Sequence, residues 1–285
     1  MTKFSPSDAA LEGFRLTREQ PGSIVVWSLF YLIGILVMSV VMMQSAGPDF
    51  IKFIKHGGLE SGDVTAYSAM LQKSWPAFVI ILLIAIFVNS VLTGGIYRMV
   101  LRPTEPGFAH LQIGADELRL TAVNIVLFSI GMLSMVVLAG FAAAIGGVLG
   151  VLTGLVLLCV MIWIGVRLLL ATPMTFGERR ISILQSWRLT HGHFWSLLGM
   201  TLVSIIFYFM VWALFSIIGL AFVELAGGKG ALADPTHLGP VAFIAFFVTL
   251  AVQTLLPTLQ VVMVYSPLAV AYRNLQSETA KAAPL

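Results

Sequence analysis

The sequence predicts an all-α polytopic membrane protein. It has six transmembrane helices, arranged as three repeats of one unit: an interfacial amphipathic helix followed by two spans. Three observations carry this prediction. Of 285 residues, 59% are apolar and only 10% charged, and the mean hydropathy is +0.98. A soluble domain carries about 25% charged residues, so this chain has too few to cover a surface facing water. Several apolar runs are long enough to cross about 30 Å of hydrocarbon. The tripeptide Arg-Leu-Thr stands at 15–17, 119–121 and 188–190, each time behind a large apolar residue: Phe14, Leu118 or Trp187.

Residues 1–22 are a mixed-charge segment carrying the first Arg-Leu-Thr. Ser23–Met43 is the first span. After it, "VMMQSAG" puts Gln44 where a cleavage site needs a small residue, which predicts a retained helix and not a signal peptide. Ala77–Tyr97 is the second span. Between them, residues 44–75 predict two short helices on the outer side. In "PDFIKFIK", Phe50, Ile51, Phe53 and Ile54 form a helical stripe beside Lys52 and Lys55; in "DVTAYSAMLQKSW", Asp63 is an N-cap. Leu120–Val166 contains no charge and no histidine. It is too long for one helix and right for two, joined by a turn at Gly146-Gly147. Gly146, Gly150 and Gly154 stand four apart, a small-residue stripe that lets the preceding helix approach closely. Leu197–Glu224 is the fifth span. Val241–Tyr265 is the sixth, interrupted by Pro257. The 226–240 connection is rich in glycine and proline.

An even number of spans puts both ends on one side. The N-terminal segment, residues 98–119, residues 167–193 and the C-terminus hold 12 of the 16 lysines and arginines, including all ten arginines. Lys52, Lys55, Lys73 and Lys229 fall on the other side. The positive-inside rule then places both termini in the cytoplasm.

The repeat extends beyond the tripeptide. Four and three residues before each large residue come Ala10-Leu11, Gly114-Ala115 and Ile183-Leu184, so positions −4, −3 and 0 share one predicted apolar face. Phe4, Phe108 and Phe176 lie ten or eleven residues upstream. Each second span leaves through an arginine: Arg98, Arg167 and Arg273. The units run 1–103, 104–173 and 174–276, with 277–285 a disordered tail. Three units of equal orientation imply a pseudo-threefold axis along the membrane normal.

The chain offers little reactive chemistry. Cys159 stands alone, so neither a disulfide nor a thiolate metal site follows. No cofactor is expected. His191 and His193 in "HGHFW" have no third ligand at metal spacing and read as interfacial anchors beside Phe194 and Trp195. The basic residues are too few and scattered for nucleic acid. Two sets of residues remain as candidates. Arg15, Arg98, Arg119, Arg167, Arg188 and Arg273 sit where lipid head groups are met. Asn89, Asn124, Gln253 and Gln260 are amides inside spans, which either bond helix to helix or line a cavity on the pseudo-axis.

The stretches "ISILQSWRLTHGHFWSLLG" and "VYSPLAVAYRNL" resemble a broad set of uncharacterised bacterial inner-membrane proteins. The set includes YciC-like proteins and the membrane-embedding domain of some glycerophosphodiester phosphodiesterases. The resemblance implies an inner-membrane location. It brings no catalytic residues, because six spans and their connections use up the chain and leave no phosphodiesterase domain. The threefold plan is similar to that of mitochondrial solute carriers in architecture alone: "PSDAAL" and "PTEPGF" begin like their gate motif and lack its final base. Two functions follow as expectations. The first is a non-enzymatic module that organises membrane lipids or an unidentified membrane protein partner. The second is a small transporter or lipid-translocating protein with a central cavity.

Overall fold

The computed structural model describes residues 6–55, 64–105, 107–228 and 239–282. These residues form ten helices and no strand. Six of the helices are long and apolar enough to cross a membrane. The short helices α1 (Pro6–Ala10) and α2 (Glu12–Glu19) precede α3 (Pro21–Lys55), which starts on a proline whose missing N–H costs nothing in the first turn. α3 contains a break at Gly47, where φ is +50°, so "PDFIKFIK" continues as helix beyond a kink. Residues 64–75 are the opening turns of α4 (Val64–Leu101) and not a separate helix. The Asp63 cap lies outside the described residues.

α5 (Ala115–Ile145) and α6 (Gly147–Leu168) form the predicted tight hairpin, turning at Gly146 with φ of +64°. Its tip is closed by the glycine stripe: a Cβ on Gly150 would stand 2.5 Å from the Ala142 carbonyl oxygen, and one on Gly154 would touch Ala142. Two short helices follow, α7 (Ala171–Glu178) and α8 (Ile183–Leu189), then α9 (Phe194–Leu225) and α10 (Pro240–Ala282). α10 runs through Pro257 and Pro267 without ending. It continues past Ser277 to Ala282, where a disordered tail is predicted.

The two ends of the bundle are built differently. The segments bearing all ten arginines meet at one end, and the hydrophobic core sits there. Trp27, Ile96, Tyr97, Leu120, Phe176, Leu197, Val262, Ala269 and Leu275 are buried together. The short helices supply this core. α1 lies against α9 and α10, α2 against α10 and α3, α7 against α5 and α10, and α8 against α6. Towards the other end the spans separate. In the most apolar window of each, 39% of α4 and 28% of α10 is buried, against none of α5 or α9. Their outward leucines, valines and phenylalanines suit a lipid solvent.

The repeat is only partly visible. In the first and third units a pair of short helices precedes the span, separated from it by Gln20-Pro21 or by His191-Gly192-His193, with Gly192 at φ +83°. In the second unit Arg119-Leu120-Thr121 lies inside the first two turns of α5. The predicted separate interfacial helix is absent there because Ala-Val-Asn, not a proline or glycine, follows Thr121, and the helix runs straight into the span. The hairpins α3–α4, α5–α6 and α9–α10 do not close an even ring either. α4 packs on both α5 and α10, whereas α6 and α9 meet along a thin seam.

The buried face of the motif also differs from the predicted one. Phe14 and Leu118 point outward, and Leu184 is 84% exposed. What is buried is the residue before each large one, Gly13, Glu117 or Ser186, together with Leu16 and Leu120 two positions beyond the large residue. The threonines of all three copies donate to the carbonyl of that preceding residue, Thr17 to Gly13 at 2.8 Å, Thr121 to Glu117 at 2.8 Å and Thr190 to Ser186 at 2.9 Å. The face is rotated by one residue because a small or paired side chain there permits close approach, and the large residue is sent to the interface. The upstream phenylalanines diverge as well: Phe176 is buried, Phe108 is 80% exposed, and Phe4 lies outside the described residues.

Gly13 gives a direct test. A Cβ there would stand 2.8 Å from the Met263 Cα on α10, whereas Gly22 has open space. Gly13→Val is expected to pry α2 from α10 and cost about 1–3 kcal/mol. Thermal unfolding in detergent would show a lower Tm for Gly13→Val and little change for Gly22→Ala.

Candidate functional site

Two features stand out from the bundle, a charged clamp at the arginine-rich end and a cleft in the apolar part. The clamp begins where α4 leaves the spans. Residues 107–114 fold back beneath it through a turn at Phe108–Leu111, whose central residues Ala109 and His110 have φ of +51° and +59°. Two side chains hold this unfavourable backbone. The buried Trp27 indole donates to the Ala109 carbonyl at 2.8 Å, and Arg98 Nη1 donates to the His110 carbonyl at 2.6 Å. Gly94 and Gly95 let the turn lie directly on α4. A Cβ on Gly94 would meet Glu117 Oε1 at 3.0 Å, and one on Gly95 would meet Leu111 at 3.3 Å.

Arg98 is the centre of the clamp. Its Nη2 donates to Glu117 Oε1 at 2.5 Å, and both side chains are almost fully buried. Glu117 Oε2 in turn accepts the Gly114 N–H at 3.0 Å at the start of α5. Arg102 donates to the carbonyls of Phe176 at 2.6 Å and Gly177 at 3.3 Å and to Asp116 Oδ2 at 3.2 Å, and it stacks over the Phe176 ring at 4.7 Å. Arg179 pairs with Glu105 at 2.8 Å, and Arg119 with Asp116 at 2.6 Å. Every carboxylate here has a guanidinium partner. The cluster ties α4, α5 and α7 together.

The six arginines expected at lipid head groups separate accordingly. Arg98 is not among such contacts: it is 1% exposed and bound within the protein. Arg15 is exposed between Glu12 and Glu19, Arg188 is exposed, and Arg119 is partly so. Arg273 is exposed and reaches the Val100 carbonyl at 3.4 Å. Arg167 is half-buried between two indole rings. The partners Glu105, Asp116 and Glu117 escaped sequence reasoning. Their signal was a single connection holding three carboxylates beside three arginines, but spacing alone does not pair them.

The cleft, of about 520 Å³, lies between the α5–α6 hairpin and α4 and α10. Asn89 of α4 and Asn124 of α5 line it, with Ser134, Thr172 and Tyr265 as further polar groups among walls such as Leu127, Phe128, Met161, Ile164 and Leu268. Asn124 Nδ2 donates to Ser90 Oγ at 2.8 Å, and Asn89 Oδ1 accepts from Thr93 Oγ1 at 3.1 Å. The cleft is open because Gly131 and Gly165, on facing helices, leave space that no neighbouring atom fills. Gln253 and Gln260 do not line it. They are exposed on α10, which turns Val264, Tyr265 and Leu268 to the cleft instead. The cleft is lined by α4, α5, α6, α10 and the start of α7, and by no residue of α3 or α9.

Among the described residues no three of His, Cys, Asp and Glu gather as a metal site, and His193 lies 3.8 Å from Glu278. Comparison of the chain with protein-family models, curated proteins and solved structures finds no match.

Removing one half of the clamp's central pair leaves a buried charge uncompensated. Glu117→Gln is expected to destabilise the protein by about 3–5 kcal/mol, and Arg98→Met combined with Glu117→Leu to recover most of that loss. Detergent unfolding curves of the single and double variants are the measurement.

Proposed function

We propose that this integral membrane protein binds an amphiphile, a lipid or lipid-like molecule with one hydrogen-bonding group, in the cleft between the α5–α6 hairpin and the α4–α10 core. The observation that carries this reading is the placement of Asn89 and Asn124 in a predominantly apolar cleft of about 520 Å³. That volume falls within the roughly 300–1,000 Å³ of small-molecule sites. Asn89 Oδ1 is engaged by Thr93 and Asn124 Nδ2 by Ser90, so it is the other end of each amide that suits an occupant bringing a donor or acceptor to their depth and an apolar body to the walls. Among the cleft's lining residues there is no carboxylate, histidine or cysteine. This composition supports binding or passage of an intact molecule over bond-breaking chemistry. Of the two functions expected from sequence, the lipid-handling protein with a cavity is favoured over a closed, dry organising module.

We propose further that the protein lies in a bacterial inner membrane with both termini cytoplasmic. The resemblance to YciC-like proteins supports the location. The gathering of all ten arginines at one end supports the orientation.

Two measurements test these statements. Gly131→Phe with Gly165→Phe fills the cleft from both sides. Mass spectrometry of molecules co-purifying from native membrane in nanodiscs should show an amphiphile with the wild type and about tenfold less of it with the filled variant. Equal recovery sinks the cleft reading. A reporter active only outside the cytoplasm should be active when fused at residue 60 and silent at residue 110; the reverse pattern inverts the orientation.

A further inference from the structure

Arg167 differs from the carboxylate-paired guanidiniums at its end of the bundle, and, unlike Arg188 and Arg273, it is partly buried. Arg98, Arg102, Arg119, Arg179 and Arg180 each meet a carboxylate. Arg167, half-buried in the last turn of α6, meets none among the described residues, and its Nε and Nη1 are buried without a hydrogen-bond partner. It is nevertheless held in place. The guanidinium lies 5.6 Å from the Trp163 ring one turn earlier and 5.9 Å from the Trp187 ring on α8, and the two indoles meet edge to face at 5.0 Å. α8 is fastened to this end of α6 by Ser186 Oγ and Thr190 Oγ1, which both donate to the Arg167 carbonyl, at 2.8 and 3.4 Å. Aromatic faces attract a cation but do not neutralise it or satisfy its N–H groups. A fixed, partly desolvated charge of this kind calls for an anion.

The rest of the same helix face indicates which anion. Leu155, Val156, Cys159, Val160 and Trp163 line an open apolar groove of about 340 Å³, and Arg167 follows Trp163 one turn on, at the groove's end. A soluble anion has no use for that groove. A phospholipid fills both parts, with acyl chain along α6 and phosphate at the guanidinium. We propose that Arg167, Trp163 and Trp187, with the α6 groove, form a site for one anionic phospholipid. Its net charge sets it apart from a zwitterionic lipid, whose ammonium the arginine repels. The cleft described above uses the opposite face of α6, through Met161, Ile164, Gly165 and Leu168, so this site stands independently of it.

The test is native mass spectrometry of the full chain in micelles titrated with phosphatidylglycerol or phosphatidylcholine. The wild type should retain one phosphatidylglycerol at about tenfold lower concentration than phosphatidylcholine. Arg167→Gln should abolish that preference, while Arg188→Gln, altering an exposed arginine of α8, should keep it. Cys159→Trp obstructs the groove at an exposed position without touching the guanidinium, and should weaken phosphatidylglycerol retention by itself. Equal retention of the two lipids by the wild type overturns the proposal, as does a preference that survives Arg167→Gln. If Arg167→Gln yields no folded protein, undiminished retention by Cys159→Trp overturns it. Displacement of the lipid by millimolar inorganic phosphate would show a free-anion site and refute the role of the groove.

Discussion

The ion pair between Arg98 and Glu117 is the constraint on which the arrangement of the bundle depends. It joins the last turns of α4 to the first turn of α5, and through Gly114 it fixes where α5 begins. The same arginine holds the His110 carbonyl in a backbone turn that alanine and histidine adopt unwillingly. Removing Arg98 would take away the hydrogen bond from α4 to the His110 carbonyl and leave the turn to the Trp27 indole. A buried pair of this kind contributes little net stability when measured against an apolar substitute, but it strongly disfavours arrangements in which either partner is alone. Its effect is therefore specificity of assembly. The second hairpin buries apolar residues chiefly near its base, at Leu120 and Val123, and the clamp beside them helps decide which face of α4 it leans on.

That division of labour follows from the solvent. In hydrocarbon, apolar side chains gain nothing by leaving lipid for protein, so spans associate through close packing and polar contacts. Here the polar contacts are concentrated at one end. Trp27, Arg98, Arg102 and Glu117 act there, with Phe176 and Leu120 packed around them. Further along, α5, α6 and α9 bury almost none of their apolar windows, although α9 runs along α10 and α5 along α4 and α6. The hairpin α5–α6 is closed at its tip by Gly150 on Ala142 and anchored near its base by Glu117 and by the Asn124–Ser90 hydrogen bond to α4, and beyond these ties it leaves a gap toward α4 and α10. The cleft is the space left by that geometry, enlarged by Gly131 and Gly165.

Sequence made the spans and the turn at Gly146-Gly147 legible, because hydrophobic length and glycine conformation are local properties. It also placed the arginines on one side, since alternation of spans fixes the side of every connection. It read the repeat less well. Three copies of Arg-Leu-Thr do have matching hydrogen bonds from their threonines, yet the second copy is part of α5 because no breaker follows Thr121. Periodicity selected positions −4, −3 and 0 as the inner face, while packing selected the residue before the large one, since Gly13 allows α2 to touch the α10 backbone. Arg98 looked like its counterparts Arg167 and Arg273 in sequence. Only the fold brings Glu117 to it, nineteen residues along and on another helix. For the same reason Asn89 and Asn124 were readable as intramembrane amides, but which side of α10 carried Gln253 and Gln260 was not.

The three exit arginines show how one sequence feature takes three physical roles according to what surrounds it. Arg98 has a buried carboxylate and becomes structural. Arg273 has solvent and a single carbonyl, that of Val100, and stays at the surface. Arg167 has two tryptophans and, among the described residues, no counter-charge. A guanidinium is planar and weakly hydrated and remains charged at any physiological pH, so it tolerates a partly dry site that would deprotonate a lysine. In a soluble protein such a residue would recruit an ordered anion from water. At the end of a membrane span the nearest anions are the phosphates of the bilayer itself, and the apolar groove beside Arg167 is the shape their chains would need. On the proposed assignment the bilayer acts as more than a solvent for this fold, because it would supply at Arg167 the counter-charge that Glu117 supplies at Arg98.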